Sequence, residues 1–154
     1  MTVKSKPVDP LPTVWDPNSR VGEMLKGKRG LVIGVANADS IAYGCAVKLR
    51  AFGADIALTY LNDKAKKHVE PLAQQIDASL LLPLDVTQPG QMQAVFERIR
   101  AEWGQLDFAI HSIAFAPREA IAGDFLEGLT REGFRTAHEI SAYSFPAMAK
   151  AALP

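Results

Sequence analysis

Cysteine is almost missing from this chain. Cys45 stands alone among 154 residues, so no intrachain disulfide can form and a disulfide-stapled fold is excluded. A reducing, cytoplasmic setting fits that usage. An excess of either charge is also lacking. The 17 basic and 17 acidic residues balance, which removes the electrostatic ground for nucleic acid or an anionic membrane as partner. No apolar run approaches the ~20 residues of a membrane-spanning helix, and the first residues lack the apolar stretch of a secretory signal. No metal-ligand spacing is present. What remains is 48% hydrophobic and 22% charged, the composition of an ordinary globular domain whose default partner is a small molecule.

Pro7, Pro10, Pro12 and Pro17 crowd the first 26 residues, where apolar residues are few. The segment reads as a proline-rich, flexible N-terminal arm, with Trp15 available for docking. From residue 27 to 154 the elements alternate. Apolar runs at 30–33, 55–60, 80–84 and 108–111 read as strands, and helical periodicity separates them at 41–52, 64–76 and 88–103. Such a series predicts an α/β fold, a Rossmann-like doubly wound parallel sheet in the order 3-2-1-4 with helices on both faces. Gly53 and Gly104 mark helix ends. Beyond Pro117 the chain reads as helical or irregular, with Thr130-Arg131-Glu132-Gly133 dividing a short segment from the longer run 134–153.

The most telling stretch is LVIGVANADSIAYG, residues 31–44. An apolar strand breaks at Gly34, where the backbone turns. Ser40 then precedes the apolar spacing Ile41, Cys45, Leu49 and Phe52 and is a candidate N-cap. A helix start of this kind binds phosphate, because unpaired N–H groups and the positive end of the helix dipole face the anion. Gly44 is expected to let the helix lie close on the sheet, and Cys45 to be a small core residue. The spacing differs from G-x-G-x-x-G, since residues 34–40 form a longer turn without a middle glycine. Ligands in this topology sit beyond the carboxyl ends of the strands, which selects the 34–40 loop, Leu61, Asp85-Val86 and Ser112-Ile113-Ala114. Asp85 suits an adenine amino group or the cap of the next helix, two roles that do not exclude each other. Where dinucleotide folds place an acid on the adenosine ribose, this chain has Leu61, followed by Asn62 and by Asp63, a candidate cap. Lys64, Lys66 and Lys67 lie near enough in sequence to meet a ribose phosphate. The cofactor reading is therefore NAD, with NADP open. His111, at the end of a buried strand, reads as a packed, hydrogen-bonded histidine rather than an acid or base.

Taken together, GVANADSIAYG, LDV (84–86), HSIAFAP (111–117), TREGF (130–134) and AHEISAYSF (137–145), in that order, resemble the bacterial NAD(P)H-dependent enoyl-acyl carrier protein reductases of fatty acid synthesis. These are divergent members of the short-chain dehydrogenase/reductase superfamily. The resemblance runs from about Leu25 to the last residue, and the longer first loop belongs to that pattern. It implies that Gly34, Ser40 and Ile41 meet the cofactor diphosphate, that Asp85 and Val86 hold the adenine, and that Ile113 lies beside the ribose and nicotinamide. Phe115 and Ala116 would border the acyl pocket. At Leu61, assigned to the adenosine ribose, the family often has glutamine, and this chain departs.

The resemblance also implies a substrate, an enoyl thioester of acyl carrier protein or coenzyme A, and a homo-oligomer, tetrameric in relatives, with residues 120–153 in the interface. The family's catalytic tyrosine and lysine follow a fifth strand, beyond Pro154, so no catalytic residue is assigned here and the sheet is expected to be truncated after strand four. Tyr143 and Lys150 reproduce the family spacing of seven. However, they share the AHEISAYSF helix with Pro146 between them, and read as an imitation of the pair. The alternative function is a catalytically silent nucleotide-binding or interaction module.

Overall fold

The computed structural model describes residues 24–153. Four parallel strands, β1 (Arg29–Ile33), β2 (Asp55–Tyr60), β3 (Leu80–Pro83) and β4 (Phe108–His111), form one sheet in the order β3-β2-β1-β4, the order the sequence predicts. The register aligns Leu31 with Ala57 on one side and with Ala109 on the other. Side chains alternate across a strand, and the sheet uses both faces accordingly. Val32, Ile56 and Leu58 pack against helices α1 (Ile41–Ala51) and α2 (Asp63–Gln75). Leu31, Ile33 and Ala57 pack against α3 (Gln91–Trp103) and Met148 of α7 (Ser144–Ala152). Leu31, Val32 and Ile33 are all inaccessible to solvent, which is why β1 reads as an unbroken apolar run rather than an alternating one.

Several local details depart from expectation. The inward face of α1 is Ala42, Tyr43, Ala46 and Val47, whereas Ile41 is 79% exposed. Gly44 is exposed and a Cβ there would touch nothing, so Ala42 and Ala46 supply the close approach to the sheet. Cys45 is only half-buried. Taking Ile41 as the first inward residue sets the face of the helix one residue off, since burial begins at Ala42 and continues through Tyr43, Ala46 and Val47. Asn62, not Asp63, caps α2, its side chain accepting from Ala65 N at 3.0 Å. Helix α3 starts at Gln91 rather than 88, since Pro89 and the left-handed Gly90 (φ 84°) hold the preceding residues in a turn. Asp85 therefore caps no helix. Thr130 is the N-cap of α6 (Arg131–His138), accepting from Gly133 N at 2.9 Å, so 130–133 begin a helix instead of dividing two segments.

Short helices α4 (Arg118–Ile121) and α5 (Phe125–Gly128) precede α6, and a π-helical turn at Glu139–Tyr143 joins α6 to α7. The amino ends of β1 and β4 are tied by Asp107, whose carboxylate accepts from Lys28 Nζ at 2.7 Å and from Arg29 N at 2.8 Å. Those two bonds hold it below the ordinary carboxylate range. Of the arm, only its last residues are described. Leu25 donates from its backbone to Phe52 O at 2.8 Å and packs on the first core cluster.

Candidate functional site

A cavity of about 350 Å³ opens at the carboxyl ends of the strands, a volume in the range of small-molecule sites. Every strand contributes to its wall, through Gly34 and Val35 after β1, Thr59 and Leu61 at β2, Leu84 to Thr87 after β3, and Ser112 to Phe115 after β4. Ile140 closes it from the π-helical turn. The wall is mostly apolar with a few polar groups, the character expected where a flat heteroaromatic ring lies between side chains and is oriented by single hydrogen bonds.

Gly34 makes this geometry available. Its φ is +102°, and a Cβ built on it would fall 2.0 Å from Ser112 O. The turn leaving β1 thus runs against the backbone leaving β4, where Ser112 N donates to Ile33 O at 3.0 Å. Only glycine satisfies both the angle and the approach. The loop then organises itself. Asn37 Oδ1 accepts from Asp39 N at 3.0 Å, and Ser40 Oγ donates to Asn37 O at 2.7 Å while accepting from Tyr43 N at 3.3 Å. Ser40 is thereby the N-cap of α1, as its sequence position predicts.

Asp85 is held by its neighbours rather than by a helix. Its Oδ1 accepts from Thr87 N at 2.9 Å and Thr87 Oγ1 at 2.7 Å, and its N–H donates to Gln91 Oε1 at 2.8 Å. Among the described residues Oδ2 takes no hydrogen bond, so one carboxylate oxygen stays open in the cavity wall. Ser141, in the π-helical turn, bonds both backbone groups of Phe115, accepting from its N–H at 2.9 Å and donating to its carbonyl at 3.0 Å. That pair of bonds fixes the loop after β4 as a strand partner would.

His111 lies behind the cavity, not in its wall. Ser144 Oγ lies 2.6 Å from Ile140 O, to which it donates, and 2.6 Å from His111 Nε2, so the imidazole is tied to α7 through this hydroxyl. The ring meets Phe145 edge-on, and burial pushes the imidazole below its ordinary value. This is the packed histidine expected of a buried strand end.

Of the residues singled out from the sequence, Gly34, Leu61, Asp85, Val86, Ile113 and Phe115 meet in this cavity. Ser40 and Ile41 lie at the start of α1, outside its wall, as does Ala116. Tyr143 and Lys150 also lie outside it, both exposed, Tyr143 at the end of the π-helical turn and Lys150 in α7. Thr59, Thr87 and Ile140 escaped the sequence reading. Thr59 is carried by the rule that strand ends line the crevice, but Ile140 arrives through a π-helical turn that leaves no local signal. Among the described residues no helix is long and apolar enough to cross a membrane.

Comparison with known proteins gives a consistent result. The family profile described as Enoyl-(Acyl carrier protein) reductase matches residues 34–154. The NADH enoyl-[acyl-carrier-protein] reductase FabI of Neisseria meningitidis is 47% identical over 130 residues, covering 84% of this chain and 50% of the relative. The Haemophilus influenzae FabI is 48% identical with the same coverage. A crystal structure of the Anaplasma phagocytophilum reductase in complex with NAD superposes with a TM-score of 0.82 at 39% identity, over 87% of this chain and 51% of that one. The chain spans about half the length of the curated relatives it matches.

Proposed function

The chain belongs to the enoyl-(acyl carrier protein) reductase family, and from that premise we propose that it forms the cofactor-holding half of an NADH-dependent reductase acting on enoyl thioesters of acyl carrier protein in fatty acid synthesis. The observation that carries the reading is the crevice built on Gly34. A positive-φ glycine, a capped helix start and a largely apolar wall with one open carboxylate oxygen stand together at the strand ends. Those residues fit a dinucleotide. Gly34 removes the side chain that would block backbone approach, and Ser40 with Ile41 begins the helix whose N–H groups face a diphosphate. Asp85 accepts from an adenine amino group and Val86 covers the ring, with Leu61 at the adenosine ribose. Ile113 borders the nicotinamide side, and Phe115 with Ala116 borders the acyl chain and excludes water from it.

When bound, NADH supplies a hydride for the β-carbon of the enoyl thioester. This chain's own residues hold and orient, and Ser141 keeps the Phe115 loop in place. Residues 27–154 act as one dinucleotide-binding unit, working in the cytoplasm, and copies associate through residues 120–153 as a homo-oligomer.

A second reading is a cofactor-binding module without turnover of its own, favoured by the position of Tyr143 and Lys150 outside the crevice. Calorimetric titration with NADH tests what the two share: saturable binding at one site per chain is expected, and a folded sample that takes up no NADH overturns both. NADH oxidation with a crotonyl thioester then separates them, because turnover by the purified chain alone removes the second.

A further inference from the structure

The crevice wall that follows β4 is held by a side chain and not by the sheet. β1 pairs with β4 as far as Ile33 against His111, and Ser112 N still donates to Ile33 O at 3.0 Å. Past that point, among the described residues, the next backbone bond is the one Pro117 O accepts from Ala120 N at 3.0 Å. Ile113, Ala114 and Phe115 nevertheless form crevice wall, in a stretch of chain that belongs to neither strand nor helix. Left to itself, such a segment has no fixed position.

Ser141 supplies what the sheet does not. A strand residue exchanges two bonds with its partner, one through its N–H and one through its carbonyl. A single hydroxyl can replace that partner, because it carries one donor and two acceptor positions. Ser141 Oγ does so at Phe115, accepting from the N–H at 2.9 Å and donating to the carbonyl at 3.0 Å. Its neighbours in the turn work on the same segment. Ile140 lines the crevice, and Ser144 lies 2.6 Å from His111 Nε2. The π-helical turn and the residue after it thus grip residues 111–115 at both ends.

We propose that Ser141 is a positioning residue for the nucleotide: its hydroxyl fixes the wall at 113–115 against the bound cofactor, although Ser141 itself lies outside the crevice. The proposal rests on the dinucleotide reading of the crevice. It concerns only how one wall is held, so the two fail separately. The physical effect is on populations. A wall released from Ser141 spends part of its time away from the position that meets the ligand, and apparent affinity falls with the competent fraction.

Calorimetric titration of the full chain with NADH tests this in the unaltered protein, Ser141→Ala, Ser141→Thr and Thr130→Ala, with circular dichroism to establish that each is folded. Ser141→Ala removes both bonds to Phe115, and NADH should weaken by about fivefold, the scale of a lost neutral hydrogen bond or two on a partly exposed loop. Ser141→Thr retains the hydroxyl and should bind within about twofold of the unaltered chain. Amide hydrogen exchange at Phe115 should quicken in Ser141→Ala alone, with the β1 amides unchanged. Thr130→Ala removes the cap of α6, and should lower Tm while NADH affinity holds. Equal affinity in folded Ser141→Ala and the unaltered chain overturns the proposal and leaves the dinucleotide reading intact. A loss in Ser141→Thr as large as in Ser141→Ala overturns it too, because the hydroxyl is then not the cause. An equal loss in Thr130→Ala has the same consequence, since general loosening of the helices would explain both. An unaltered chain that takes up no NADH overturns the reading itself and the proposal with it.

Discussion

Single positions carry much of the site. Gly34 combines a left-handed φ with an approach to Ser112 O that leaves no room for a methyl group. Gly34→Ala should therefore destabilise the fold by at least about 2 kcal/mol and weaken NADH binding in whatever fraction stays folded. Urea denaturation together with calorimetry checks this, and an unchanged midpoint with unchanged affinity would contradict it. Gly30 has a different reason to be glycine. The Phe108 ring of the neighbouring strand occupies the space where its Cβ would stand, 2.0 Å from a ring carbon. His111 makes a pH prediction with a definite sign. Burial lowers its folded pKa below the ordinary 6.5, so in the window just below 6.5 the unfolded chain binds the proton and the native chain does not. Its contribution to stability is then complete above pH 6.5, and falls as pH drops through that value toward the lower folded pKa. His111→Gln, which retains a hydrogen-bonding group for Ser144, should flatten the loss of Tm between neutral pH and the onset of carboxylate titration. An identical slope in the variant would show that other groups cause it.

At the scale of elements, caps and turns decide what the sequence discloses. Ser40 was legible as the cap of α1 because a small hydroxyl residue stood directly before an apolar period. Ser40→Ala removes both its bond from Tyr43 N and its bond to Asn37 O. A cost of about 1 kcal/mol is expected, measured as a drop in Tm, and a variant as stable as the parent would mean that the Asn37 turn holds the helix start alone. The face of α1 was not legible in the same way. Ile41, Cys45 and Leu49 repeat at helical spacing, but so do Ala42, Ala46 and Val47, and small residues win where a helix must lie close to a sheet. The start of α3 differs from the expected Gln88 for a related reason: Gln88 fits a helix by propensity, and Pro89-Gly90 overrides it through backbone angles. The π-helical turn is the least legible element. It puts Ile140 into the cavity wall and lets Ser141 and Ser144 bond Phe115 and His111 respectively, and no spacing rule distinguishes its residues from an ordinary helix.

For the whole molecule, topology was the most legible property, since strand-helix alternation follows from the pattern of apolar runs and the place of β1 between β2 and β4 from the common order of doubly wound sheets. The same topology leaves a physical problem at one side. Among the described residues the sheet ends at β4, whose residues Phe108, Ala109, Ile110 and His111 are each only half-buried, while β1 on its inner side is almost fully enclosed. Next in sequence, α4, α5 and α6 carry Ile121, Phe125, Leu126 and Phe134, all more than 60% exposed. An apolar strand edge and an exposed apolar helical surface each favour association with another chain, because pairing satisfies backbone groups and contact removes hydrocarbon from water. Sedimentation velocity of the purified chain should accordingly show a concentration-dependent species larger than the monomer. Leu126→Lys, which places a charge on the exposed surface of α5 without touching the core, should shift that equilibrium toward the monomer and leave NADH binding unchanged. Were the chain to sediment as a monomer at every concentration, these helices would have to be tolerated in water. Association that Leu126→Lys does not weaken would instead point to the β4 edge, where main-chain hydrogen bonds form regardless of the side chains on α5.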